Sequence, residues 1–379
     1  MDISGHDAEL SYVDTRLHNE SLTLFSVHAF SLDLSPNELF RYMSSKPAKT
    51  SPSSSALQDL AIKLACSQLS DMSINQRLWP SSSSQLGIGA TFQVESREAK
   101  GKKLVAVKHI KRDSADEEQF SYTAPTRERL DDVLLEVQVL LHLKTLQHPN
   151  IVEIVGFGWD EGPLPYLVLE LADLGSLDKF LNEHELSWSQ KELTMIQLAS
   201  GLEMLHACEI IHGDIKLENV LVFSKEPYGF VAKLADFGFC LANTLGIEVY
   251  HGTSVFNPPE MRSGARTSLS NLDYSFEMAD VYSYGLVAWE IVNDGGRFYS
   301  TSAIGIDPQH SNEALLFLSD LDSTKQELFP YAWKYVESLS LPETLASPLL
   351  KILEMSLRRD WGSRSEIREI REVMDPDEE

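Results

Sequence analysis

Apolar positions along the chain mark a series of short strands followed by longer helices. Between Ser21 and Leu34, Leu22, Leu24, Phe25, Val27 and Ala29 alternate in part with polar neighbours, as in a strand. Leu57, Leu60, Ala61, Leu64, Ala65 and Leu69 recur at helical spacing, predicting a helix over 56–69. Leu86 to Val94 reads as a hairpin around Gly87 and Gly89, and the apolar run from Leu104 to Val107 ends on Lys108. From Arg127 to Lys144, the residues Leu130, Val133, Leu134, Val137, Leu140 and Leu141 form one stripe of an amphipathic helix. Two strand-like runs, Ile154 to Gly158 and Tyr166 to Leu171, flank the turn Asp160-Glu161-Gly162-Pro163. A helix opens at Gly175-Ser176-Leu177, a longer one runs from about Leu193 to Ala207, and Val220-Leu221-Val222 is a buried strand.

Composition narrows the classes. With 379 residues and an apolar fraction of 43%, the chain can bury a sizeable core. Its formal net charge of −25 argues against electrostatic binding to nucleic acid or to an anionic membrane. No apolar run approaches the roughly 18 to 20 residues of a membrane span. Met1 to Asp7 has neither the basic nor the apolar region of a signal peptide. Cys66, Cys208 and Cys240 are odd in number and far apart, which fits reduced thiols and a cytoplasmic location. The stretch from Lys46 to Ser55, rich in proline and serine, reads as a linker.

The chemistry concentrates in His212-Gly213-Asp214-Ile215-Lys216-Leu217-Glu218-Asn219. A carboxylate, an ammonium and a carboxamide within eight residues suit phosphoryl transfer from a metal-bound nucleotide. The stretch resembles the catalytic loop of eukaryotic protein kinases, H-R-D-x-K-x-x-N, with glycine in the place of arginine. Other parts follow that family's order. Gly87-Ile88-Gly89-Ala90-Thr91-Phe92 resembles its glycine-rich loop, with Phe92 where the third glycine stands. Glu136 sits amid an apolar helix face and needs a partner, for which Lys108 is the candidate. His148-Pro149-Asn150-Ile151-Val152, Asp236-Phe237-Gly238 and Asp280-Val281-Tyr282-Ser283-Tyr284-Gly285 match further motifs. Pro258-Pro259-Glu260 stands for Ala-Pro-Glu, and Arg364 lies where kinases supply a cation for that glutamate.

The resemblance implies an α+β, bilobal protein-kinase fold, with a small antiparallel sheet carrying one helix and a larger, mainly helical lobe. It divides the chain into an amino-terminal extension (1–80), a kinase domain (81–373, its lobes about 81–170 and 174–373) and an acidic tail (374–379). It implies ATP and Mg²⁺ as cofactors and a protein as substrate, with nucleotide in the cleft. Asp214 would position the substrate hydroxyl, Lys216 stabilise the moving phosphoryl group, and Lys108, braced by Glu136, orient the phosphates. Asn219 and Asp236 would hold the metal. Gly87, Gly89, Val94, Ala106, Leu169, Glu170, Ala172 and Leu221 would surround the nucleotide. Gly252-Thr253 and Lys216 look like the serine/threonine type, and Tyr282 like its tyrosine-kinase-like, receptor-like branch. Without a cation at Gly213, activity is expected not to depend strictly on phosphorylation at Tyr250, Thr253 or Ser254. The alternative is a pseudokinase serving as a nucleotide-binding or scaffold module. A kinase of small molecules shares much of this chemistry, but the segment ending in Glu260 favours a protein substrate. The acidic stretch from Arg297 to Leu341 carries no motif and reads as an insertion.

Overall fold

The computed structural model describes residues 70–71, 84–88, 92–99, 103–110, 127–159, 165–226, 229–242, 250, 252–262 and 275–375. The expected strand at 21–34, linker at 46–55 and helix at 56–69 lie outside them, as does most of the acidic tail. Contacts divide the chain into two compact units. One holds the described residues up to His142 with Glu153–Leu171, and the other holds Leu143–Val152 with everything from Ala172 onward.

The first unit is built on a sheet of six strands. These are β1 (Ser70–Asp71), β2 (Ser84–Ile88), β3 (Phe92–Glu98), β4 (Leu104–Ile110), β5 (Ile154–Trp159) and β6 (Pro165–Glu170), in the order β1-β5-β6-β4-β3-β2. From β2 to β6 neighbouring strands pair antiparallel, while β1 joins β5 in parallel, with Ser70 opposite Gly156. β4 is covered on both faces, which is why it reads as a continuous apolar run. Val105 and Val107 cluster with Tyr166 and Val168 on one face, leaving Ala106 and Lys108 on the other. The helix α1 (Arg127–Leu146) buries Val133, Glu136, Val137, Leu140 and Leu143, one stripe at i, i+3, i+4 and i+7. Leu135 and Val139 widen that stripe, whereas Leu134 and Leu141, expected inside, are half-exposed.

The second unit is mainly helical. It contains α2 (Leu177–Glu183), α3 (Trp188–Ala207), α4 (Pro259–Arg262), α5 (Glu277–Val292), α6 (Ser311–Thr324), α7 (Phe329–Ser338), α8 (Glu343–Ser356) and α9 (Ile367–Met374). Two small antiparallel pairs accompany them: β7 (Ile210–Ile211) with β10 (Leu241–Ala242), and β8 (Val220–Lys225) with β9 (Gly229–Leu234). α3 starts at Trp188, five residues before the sequence expectation. Ser187 and Gln190 form a reciprocal cap there, each side chain accepting the other's backbone N–H. α5 is apolar nearly all round and buried from Met278 to Val292, as a central helix must be. It packs against α3 and α8. Its carboxyl end is closed by buried Lys191, which donates to the Val292 carbonyl at 3.0 Å, a cation at the negative end of the helix dipole. The stretch from Arg297 to Leu341 holds α6 and α7, which bury Ala314, Leu318 and Leu321, and Ala332, Tyr335 and Val336. Among the described residues, no helix is long and apolar enough to cross a membrane.

Candidate active site

The predicted site residues fall into two groups, one in each unit. In the first, strand register decides which side chains share a face. Val94 pairs with Lys108, which pairs with Leu167; Ser96 pairs with Ala106, which pairs with Leu169. Paired residues in an antiparallel ladder point the same way. Val94, Ala106, Lys108 and Leu169 therefore line one face, with Gly87 opposite Val94 on the neighbouring strand. A Cβ at Gly87 would meet nothing within 4 Å. Gly89 lies outside the described residues.

Lys108 is almost fully buried, and its Nζ donates to Glu136 Oε1 at 2.5 Å. A buried ammonium and a buried carboxylate each offset the other's desolvation, so losing either partner costs about 3–5 kcal/mol. The ring of Phe92, diagonal to Lys108 across the ladder, lies 4.2 Å from the same ammonium. The third-glycine position thus carries an aromatic ring stacked over the cation. Leu169 is buried. The Glu170 N–H donates to the Glu153 carbonyl at 3.1 Å, so among the atoms expected to meet the adenine this donor is taken up within the unit.

In the second unit, the loop between β7 and β8 is held from several sides. Asp280, fully buried in the first turn of α5, accepts from His212 N at 2.7 Å and Gly213 N at 2.9 Å. His206 Nε2 reaches the same carboxylate at 3.1 Å, a contact no motif foretold. The His212 ring bonds the Ala235 carbonyl through Nε2 at 3.0 Å and faces the Asp214 N–H with Nδ1 at 3.3 Å. Both bonds are satisfied by the tautomer with its proton on Nε2. Phe237, fully buried, lies against this ring with centroids 5.3 Å apart.

Asp214 is the centre of the network. Its Oδ1 accepts from Thr253 N at 2.9 Å and Thr253 Oγ1 at 2.7 Å. Its Oδ2 accepts from Lys216 Nζ at 2.6 Å and Asn219 Nδ2 at 2.8 Å. Lys216 also donates to Thr253 Oγ1 at 2.8 Å. Two glycines allow this closeness. Gly213 has φ +77°, and a Cβ there would lie 2.4 Å from the Phe239 carbonyl oxygen; Gly252 has φ +41°, and its Cβ would lie 2.9 Å from the Gly213 carbonyl oxygen.

The β8–β9 ladder brings the metal candidates together. Val220 pairs with Leu234, so Asn219 and Asp236 emerge side by side, and Ala235 N donates to the Asn219 carbonyl at 2.9 Å. Asp236 takes the left-handed conformation, φ 65°, and its side chain is exposed. The ladder is stitched to the His148–Val152 segment: Asn150 Nδ2 donates to the Ala232 carbonyl, and Leu234 N to the Asn150 carbonyl. Leu221, on β8, pairs with Lys233 and is half-buried. The Ala172 carbonyl accepts from Gly175 N at 3.2 Å.

The three hydroxyls weighed as phosphorylation sites differ. Tyr250 is buried among Ile211, Leu241, Met261 and Ala279; burial and the Asp280 charge push its phenol well above the ordinary range. Thr253 is bonded to Asp214 and Lys216, while Ser254 is exposed. Glu260 receives both arms of Arg364, at 2.7 and 2.9 Å, as expected.

A protein kinase domain model matches residues 81–374, and the chain belongs to that family, with its bilobal α+β fold. Aurora kinase B of Mus musculus is 28% identical over 260 residues, 68% of each chain. A probable serine/threonine-protein kinase of Dictyostelium discoideum is 31% identical over 195 residues, 50% of this chain and 41% of the relative. The serine/threonine-protein kinase pelle of Drosophila melanogaster is 28% identical over 258 residues, 63% of this chain and 45% of the relative. The chain thus spans less than half the length of the last two.

Proposed function

We propose that this chain is an ATP-dependent serine/threonine protein kinase, transferring the γ-phosphoryl group of Mg-ATP to a protein hydroxyl. The observation that carries the reading is the set of bonds around Asp214, which Lys216, Asn219 and Thr253 all join. Asp214 accepts the proton of the attacking hydroxyl, and Lys216 sits beside it to offset charge on the moving group. Asn219 and Asp236 offer an amide and a carboxylate oxygen, the hard donors Mg²⁺ takes, and the ladder holds them adjacent. When bound, that ion neutralises phosphate charge. Lys108, held by Glu136, orients the phosphates. Val94, Ala106 and Leu169 give the first unit an apolar face for the base, and Leu221 is the apolar residue the second unit offers it.

Two finer points belong to this reading. The tyrosine at position 282 of the Asp280–Gly285 motif is what supports placement in the tyrosine-kinase-like, receptor-like branch. Activity does not depend strictly on segment phosphorylation, because Thr253 already bonds Asp214 and no arginine stands at Gly213 to receive a phosphate. A cytoplasmic location is in keeping with three cysteines, Cys66, Cys208 and Cys240, odd in number and far apart in the sequence.

The test is phosphate transfer from labelled ATP by the purified chain, with Asp214→Asn and Lys108→Met alongside. Transfer is expected in the wild type and a loss of about 10²-fold or more in each variant. Nucleotide-dependent thermal stabilisation without transfer would replace the reading by a pseudokinase binding module.

A further inference from the structure

We infer that Arg297 is a positioning residue for the metal-holding end of the catalytic loop. The inference rests on the role proposed above for Asn219. Glu218 lies in the single 3₁₀ turn Leu217–Asn219, immediately before Asn219. One of its carboxylate oxygens accepts from Arg297 Nη2, and the other is buried without a hydrogen bond among the described residues. Arg297 stands 79 positions further along the chain, beyond the end of α5. Its Nη1 donates to Glu290 Oε2 at 3.4 Å, and the neighbouring Phe298 N–H donates to Glu290 Oε1 at 3.3 Å. Glu290 belongs to α5 and is fully buried.

This contact differs from an ordinary surface pair, whose contribution is small because both side chains are free to move. Here the guanidinium is fixed on one side by the Glu290 carboxyl group, which is locked into the central helix, so the bond to Glu218 anchors the turn to that helix. The loop is then gripped by α5 at both ends. Asp280 in the helix's first turn holds His212 and Gly213, and Glu290 near its last turn holds Glu218 through Arg297. With the second grip gone, the turn is held by Asn219's own bonds to Asp214 and by the ladder. Its amide oxygen is then less well placed for the ion. Groups one step removed from a metal ligand commonly change affinity on the order of tenfold or more.

The experiment uses the full chain with Mn²⁺ as a spectroscopic substitute for Mg²⁺. Mn²⁺ binding is read by electron paramagnetic resonance with a non-hydrolysable ATP analogue, and the Mg²⁺ dependence of transfer is measured beside it. Arg297→Ala and Glu218→Ala are each expected to weaken Mn²⁺ binding on the order of tenfold. The half-maximal Mg²⁺ concentration should rise in parallel, with the KM for protein substrate unchanged. The double variant is expected to be no worse than either single one, since both remove the same link. Arg297→Lys should recover part of the affinity. Glu218→Ala cuts only the loop side of the link, at a half-exposed residue, and keeps the question open to refutation should Arg297→Ala unfold. A folded Glu218→Ala with wild-type Mn²⁺ affinity overturns the inference, whatever happens to melting temperature. A wild type that binds no Mn²⁺-nucleotide overturns the kinase reading itself, and this inference with it.

Discussion

Gly213 shows how one position can be read in two ways. As a letter in a motif it is a missing arginine, a cation subtracted from the loop. As a backbone position it is a left-handed residue whose absent Cβ leaves room for the Phe239 carbonyl oxygen. Restoring the arginine therefore introduces strain. Left-handed geometry costs a residue with a side chain roughly 1–2 kcal/mol, before the clash is counted. Gly213→Arg is expected to lower the melting temperature by several degrees in differential scanning fluorimetry and to leave transfer no faster. A variant with unchanged melting temperature and faster transfer would show that the loop relaxes freely. The Lys108–Glu136 pair was legible residue by residue, because a carboxylate in an apolar stripe demands a cation. The separate fates of Tyr250, Thr253 and Ser254 were not. Tyr250 packs on Ile211 and Ala279, and Thr253 bonds Asp214, contacts with distant segments that local sequence does not show.

At the scale of elements, α5 joins the core to the chemistry, and it carries a buried acid at each end. Burial pushes the Glu290 carboxyl up to about 8, against the opposing effect of Arg297, with Glu218 nearby raising it further. The folded chain thus holds a proton on Glu290 that the unfolded chain releases in the ordinary glutamate range. Stability contributed by this proton is full at acidic pH and declines as pH rises towards about 8. Glu290→Gln cannot lose that proton, so its melting temperature is expected to depend less on pH between about 5 and 8 than the wild type's. Equal slopes in the two proteins would show that the carboxyl ionises as freely folded as unfolded. Elements were legible where they carried their own pattern, the helical stripe of α1 and the continuous apolar run of β4. The start of α3 lies five residues before the expected one, at the capping box that Ser187 and Gln190 spell. β1 offered nothing to read: two residues, Ser70 and Asp71, pair in parallel with a strand more than eighty positions away. α6 and α7 carry apolar spacing of their own, hidden by the acidity around them.

Over the whole molecule, 57 acidic residues outnumber 32 basic ones. Mutual repulsion of that excess opposes compactness, and salt screens it within about 10 Å at 0.1 M. The melting temperature is expected to rise by a few degrees between about 0.05 and 0.5 M sodium chloride. A fall over that range would mean that ion pairs such as Arg262–Asp322 outweigh the repulsion.

The β8–β9 ladder has one more property. Asn219 and Asp236 flank its open end, and the Lys225–Gly229 pair closes it six residues away, on the order of 20 Å at strand rise. Spacing at the open end is fixed by the Val220–Leu234 register and does not depend on how much chain is looped out beyond Lys225 and Gly229. A reporter cassette or affinity tag can be spliced in between those two residues, giving a handle on the kinase body that leaves the chemistry where it is.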